Sequence, residues 1–169
     1  PPAAKTEVAY SFADYEDVSD VNYIGTVRLA EACRKYCTDL KMFMLASTME
    51  TYGHQPHEPF TEETPQKPMA PYAVAKVAAE KYLRYMEYAY GFPFVILRQT
   101  NTYGRDKNDF FVMERIITQA LSDSPTIRLG EPDPIRNFLY IDDLIDLYMI
   151  LLEKMPIGET FVTGPANGL

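Results

Sequence analysis

In PYAVAK, residues 71–76, a tyrosine and a lysine stand four positions apart, and upstream of them ASTMETYG, residues 46–53, carries Ser47, Thr48 and Glu50. At helical spacing Tyr72 and Lys76 lie on one face. A free phenol, with a pKa of about 10, is a poor base at neutral pH, but a neighbouring ammonium favours the phenolate. The pair can therefore take a proton from a sugar or alcohol hydroxyl. A Ser or Thr hydroxyl at the end of a strand can hydrogen-bond the same substrate oxygen. A lone Y-x-x-x-K often arises by chance, as a surface aromatic beside a solvated lysine, so the weight rests on what accompanies it.

The surrounding pattern supplies elements to position these groups. Apolar residues at helical spacing predict a helix from Val18 to Tyr36 with Ser19 as N-cap. KMFMLAS (41–47) reads as a buried parallel strand, whose C-terminal end is where sheet enzymes place chemistry. The proline-rich stretch 52–69 reads as a long loop. A helix follows from Pro71 to Tyr90, with proline in its first turn and Gly91 beyond its end. Strands are expected at 92–98, 126–130, 137–141 and 160–164, and helices at 110–121 and 142–153. Alternating strands and helices indicate an α/β fold on a mostly parallel sheet.

The chain has 169 residues, 47% of them hydrophobic, enough for a sizeable core. Its formal charge of −8 argues against nucleic acid or an anionic membrane as partner, since both require basic faces. No apolar run approaches the roughly 20 residues that span a bilayer. Cys33 and Cys37 are the two cysteines and lack further ligands for zinc, so they read as reduced thiols of a cytoplasmic protein. His54 and His57 sit in the loop with no third metal ligand, so no metal site is expected. The opening Pro-Pro, with no initiating methionine, suggests a piece of a longer protein.

Five ordered motifs together resemble the extended short-chain dehydrogenase/reductase family, and within it the nucleotide-sugar epimerases and dehydratases. NYIGT (22–26) resembles N-V-x-G-T, STMETYG (47–53) resembles S-S/T-x-x-V-Y-G, and PYAVAK resembles P-Y-x-x-S/A-K. LRQTNTYG (97–104) resembles L-R-x-x-N-x-Y-G, and RNFLYIDD (136–143) resembles R-D-F-x-x-V-D-D. The resemblance implies a partial Rossmann-like, doubly wound parallel sheet with the start of a smaller C-terminal substrate-binding lobe. Residues from about 104–137 and 156–169 would contribute to that lobe.

The resemblance also implies roles. Tyr72 would take the proton of the sugar 4-hydroxyl while a hydride leaves C4 for NAD, with NADP not excluded. Lys76 would lower the tyrosine pKa and bind the nicotinamide ribose. Thr48 would hydrogen-bond the 4-oxygen, Asn22 would order the site, and Ser47, Ala3, Ala4 and Lys5 would line the cofactor. Asn101 and Arg136 would hold the substrate diphosphate. The helices after NYIGT and at Tyr72 would pack against their copies in a homodimer, with Val27, Ala30, Tyr82 and Tyr85 as candidate contacts.

The sequence departs from the family pattern in two places. It holds no G-x-x-G-x-x-G loop, and AAKTEV (3–8) resembles a stretch that usually follows the fourth strand. FVME (111–114) stands where N-V-I-P is usual, which removes an asparagine that often contacts the substrate phosphate. Glu50 bears on the reaction, because a carboxylate near C5 can remove the proton that a 4-keto group acidifies and expel the 6-hydroxyl. This leans toward a 4,6-dehydratase. A 4-epimerase is the alternative, and a non-catalytic nucleotide-sugar or cofactor sensor is the further one.

Overall fold

The computed structural model describes residues 4–56, 59–104, 111–123, 125–130 and 136–165. Its contacts divide the chain into two units, Pro1–Gln99 with Lys154–Thr163 and Thr100–Glu153 with Gly164–Leu169. The stretch 156–163, expected in the smaller lobe, falls in the first unit because it carries a strand of the larger sheet.

In the first unit, β1 (Phe43–Thr48), β2 (Phe94–Gln99) and β5 (Thr160–Thr163) form a parallel sheet in the order β1-β2-β5. β2 is central and buries every side chain from Phe94 to Arg98, so its sequence is a continuous apolar run ending in arginine. The register pairs Ser47 with Arg98 and Thr48 with Gln99. A core of Ala30, Leu45, Ala79, Leu83, Met86, Phe92, Phe94 and Ile96 joins β1 and β2 to α3 (Gly25–Tyr36) and α4 (Pro71–Tyr90). Each fully buried large side chain there contributes about 1.5–3 kcal/mol. α4 begins with proline at its first position and ends on Gly91 in the left-handed conformation, φ 63°, whose N–H bonds the Glu87 carbonyl at 2.7 Å.

The first predicted helix is longer and more broken than its periodicity suggests. α1 (Val8–Ala13) and α2 (Tyr15–Ser19) precede a π-helical turn, Asp20–Ile24, that leads into α3. Ser19 is helical and caps nothing; Asp14 caps α2 instead, accepting from the Asp17 N–H at 3.2 Å.

The second unit pairs β3 (Asn101–Tyr103) with β4 (Phe138–Tyr140) in parallel and adds α5 (Val112–Ala120) and α6 (Ile141–Lys154), the latter through Glu153. No strand forms at 126–130. There the Gln119 side chain accepts from the Arg128 N–H at 2.8 Å and donates to the Arg128 carbonyl at 3.0 Å, satisfying the groups a sheet neighbour would have bonded. β3 escapes sequence reasoning because three residues between β2 and a glycine carry no readable alternation.

No helix among the described residues is long and apolar enough to cross a membrane. Among them, no three His, Cys, Asp or Glu side chains come together as metal ligands. His57 and Ala3 lie outside the described residues.

Candidate active site

Tyr72 is the second residue of α4, next to the proline that fixes the helix start, and is 6% exposed. The helix N-terminus favours negative charge there. Burial nevertheless dominates and pushes the phenol up to about 12, with the Glu50 carboxylate pushing the same way. Opposing both, the nearby Thr48 hydroxyl lowers the phenol's pKa. Burial rather than the Lys76 ammonium sets the balance, so in this arrangement Tyr72 holds its proton at neutral pH.

Lys76, one turn on, is equally buried, and its Nζ lies 5.9 Å from the Tyr72 ring centroid. It donates to the Ala46 carbonyl at 2.8 Å. Burial pulls its pKa down to about 8, while Glu80 one further turn along α4 acts to raise it.

The end of β1 supplies the facing groups. Thr48 is extended, φ −149° and ψ 150°, and its hydroxyl accepts from the Glu50 N–H at 3.2 Å, starting the 3-10 turn Met49–Tyr52. Glu50 lies in that turn, and its carboxylate acts to raise the Tyr72 pKa. Gly53 closes the turn at φ 59° and ψ −150°, where a Cβ would stand 2.0 Å from the Lys67 carbonyl oxygen. Ser47 turns elsewhere: its hydroxyl donates to Glu80 at 2.5 Å.

Asn22, 1% exposed, occupies the π-helical turn. Its amide donates to the Lys5 carbonyl at 2.8 Å and its side-chain oxygen accepts from the Lys5 N–H at 3.0 Å. These two hydrogen bonds to one residue's backbone fix the chain at Lys5. The Lys5 ammonium pairs with Asp17. Asn22 therefore orders its surroundings through the chain rather than through a side chain of the proton-transfer group.

Asn101 and Arg136 belong to the second unit. Asn101 pairs with Phe138, two residues after Arg136, so both residues stand at the same end of the two-stranded sheet. Arg136 is exposed and Asn101 half-buried. Of the candidate dimer contacts, Ala30 is fully buried in the unit's own core, while Tyr85 is exposed. Sequence reasoning missed Glu80 and Arg98, a buried ion pair at 2.8 Å beneath the site. A glutamate four residues beyond Lys76 and an arginine ending an apolar strand were the available signals.

The model of the NAD dependent epimerase/dehydratase family matches residues 2–164. This chain belongs to that family. Human dTDP-D-glucose 4,6-dehydratase is 32% identical over 162 residues, covering 96% of this chain and 46% of the relative. UDP-glucuronic acid 4-epimerase from Bacillus cereus, solved with UDP-glucuronic acid and NAD, superposes with a TM-score of 0.89 at 30% identity over 99% of this chain and 53% of its own. A dTDP-glucose 4,6-dehydratase from Streptomyces venezuelae with NAD bound gives a TM-score of 0.89 at 26% identity, over 99% of this chain and 52% of its own. The chain thus spans about half the length of these proteins. Family membership makes NAD the cofactor, and the donors fit its nicotinamide end: the Lys76 ammonium has three N–H groups, of which the Ala46 carbonyl takes one.

Proposed function

We propose that this chain carries the proton-transfer half of an enzyme that transiently oxidises a nucleotide sugar at C4, with a 4,6-dehydratase as the preferred outcome. The observation behind this reading is that Tyr72 and Lys76, both buried, share one face at the start of α4, with the Thr48 hydroxyl close enough to the phenol to lower its pKa. Oxidised NAD, when bound, brings a positive charge and accepts the C4 hydride. With that positive charge and the Lys76 ammonium favouring the phenolate, Tyr72 would take the 4-hydroxyl proton, Thr48 would hydrogen-bond the same oxygen, and Lys76 would hold the nicotinamide ribose. Ser47, Asn22, Ala4 and Lys5 shape that end of the cofactor site. Asn101 and Arg136 hold the diphosphate, where a guanidinium gives charge-assisted bonds even on an acidic protein.

Glu50 carries the preference for dehydration. Near enough to raise the Tyr72 pKa, it would remove the C5 proton once C4 is a ketone and pass that proton to the 6-hydroxyl, so that the C6–O bond breaks and water leaves; the hydride would return at C6 while C5 takes a proton from solvent. The 30% identity to the Bacillus cereus protein supports a 4-epimerase as second reading, in which the hydride returns to C4 and Glu50 moves no proton. The same reading carries a homodimer through α3 and α4, whose outer faces expose Leu29, Tyr85 and Tyr88.

The test is incubation of the full-length protein with NAD and dTDP-glucose or UDP-glucose in deuterated water. Loss of the 6-hydroxyl with deuterium at C5 is expected. A C4-inverted sugar without solvent deuterium would select the epimerase, and binding without any conversion would refute both in favour of a sensor.

A further inference from the structure

We infer that Glu80 and Arg98 are positioning residues, whose buried ion pair clamps the end of β1 and its 3-10 turn, carrying Thr48 and Glu50, to the face of α4 that carries Tyr72 and Lys76. This rests on the proton-transfer reading given above. Glu80 and Arg98 are 2% and 6% exposed, and neither is assigned a contact with sugar or cofactor.

The bonds run to the elements that hold the reacting groups. Glu80 Oε1 accepts from the Ser47 hydroxyl at 2.5 Å, one residue before Thr48. Its Oε2 accepts from Arg98 Nη2 at 2.8 Å and from the Gln66 amide at 2.7 Å. Arg98 Nε is 3.2 Å from both carboxylate oxygens, completing a forked pair. Arg98 Nη1 donates to the Tyr52 hydroxyl at 2.9 Å, two residues after Glu50, and to the Glu62 carbonyl at 3.2 Å. Gln66 adjoins Lys67, whose N–H bonds the Thr51 carbonyl at 3.0 Å inside the same turn. On α4, Glu80 is one turn from Lys76 and two from Tyr72.

A stability role alone accounts poorly for this arrangement. A buried ion pair must repay the desolvation of two charges, and packed apolar side chains of similar volume often stabilise as well or better. Apolar packing has no direction, however, whereas a forked guanidinium–carboxylate pair with all these partners fixes position and angle together. A hydroxyl that must meet Tyr72 and a carboxylate that must reach C5 need that precision, since a displacement of about 1 Å can cost about 10²-fold in rate.

The test uses Arg98→Lys, which keeps the charge but loses the fork, and Glu80→Gln/Arg98→Met, which removes both charges of the pair together. Three quantities are measured on the full chain: melting temperature, amide hydrogen exchange at Ser47, Glu50, Gly53 and Lys67, and the kcat and KM of nucleotide-sugar oxidation. The double variant should melt near the wild-type temperature yet exchange those amides about tenfold faster or more, with kcat about 10²-fold lower and KM little changed. Arg98→Lys should show the same split, so the test stands even where the double variant fails to fold. Wild-type exchange at the four amides, or wild-type kcat in either folded variant, would overturn the inference. A wild-type protein that oxidises no nucleotide sugar would instead overturn the functional reading, and the exchange rates would still decide whether the clamp exists.

Discussion

Lys76 Nζ donates to the carbonyl oxygen of Ala46 at 2.8 Å, tying the α4 ammonium to the strand residue two before Thr48. The lysine is thus held against the strand end while its charge remains near Tyr72. The cost of burying that charge is measurable without any substrate.

Lys76 should destabilise the chain at neutral pH. Its folded pKa of about 8 lies below its ordinary 10.5, so below pH 8 both folded and unfolded states carry the proton and the burial penalty is fully present. Between pH 8 and 10.5 the unfolded chain binds more protons, and stability rises with pH; above that window the penalty is gone. The penalty is at most roughly 3 kcal/mol, offset by about 1 kcal/mol for the Ala46 hydrogen bond. Lys76→Met should therefore be more stable than wild type at pH 7 by about 1–2 kcal/mol, with the gap closing by pH 10.5. Urea denaturation at both pH values measures it, and a gap independent of pH would contradict the burial of a charged lysine.

Tyr72→Phe keeps the ring and removes the transferable proton. Oxidation of the nucleotide sugar by the full-length protein should fall by about 10²–10⁴ while sugar binding changes little. Stopped-flow absorbance of NADH measures the rate, and calorimetry the binding. Wild-type turnover in this variant would remove Tyr72 from the chemistry.

Glu50→Gln separates the two reactions at one residue. In a dehydratase the first half-reaction should persist, with NADH and a 4-keto sugar accumulating and no 6-deoxy product formed. In an epimerase the interconversion of C4 epimers should hardly alter. Mass spectrometry of the products tells these outcomes apart.

Gly53→Ala should destabilise the turn that carries Glu50. At φ 59° and ψ −150° a side chain is strained, and the added Cβ would collide with the Lys67 carbonyl oxygen, a backbone atom with little room to move. A loss of about 1–3 kcal/mol from the backbone conformation alone is expected, and more with the collision. Equilibrium denaturation reads it; an unchanged midpoint would mean the turn takes another conformation.

What the sequence revealed tracks how local the governing physics is. α4 was legible from Pro71 to Gly91 because both ends carry their own signals, and β2 because a central strand is apolar throughout. The Tyr72–Lys76 face followed from helical spacing alone. Ser19 misled because hydroxyl residues fit equally well inside a helix, and Asp14, which caps α2, lay beyond the apolar period. The strand expected at 126–130 failed because two exposed apolar residues, Ile127 and Leu129, mimic a strand pattern, while the Gln119 side chain satisfies Arg128. The Tyr72 pKa ran against expectation because helical spacing shows a neighbour but not the burial that pushes the phenol up. Glu80 and Arg98 stayed hidden because they are distant in sequence and each alone looks like an ordinary surface charge.

The π-helical turn Asp20–Ile24 makes this stretch more sensitive to length than to composition. A wider turn stores one residue beyond what an α-helix needs, and here that surplus lets Asn22 face the Lys5 backbone. Losing a single residue between positions 20 and 24 would leave a smoother, better-bonded α-helix with its flanks still in phase, yet without the wide turn that presents Asn22. The helix would gain regularity as Asn22 lost its grip on Lys5. Many substitutions here should be silent, but a one-codon deletion should not.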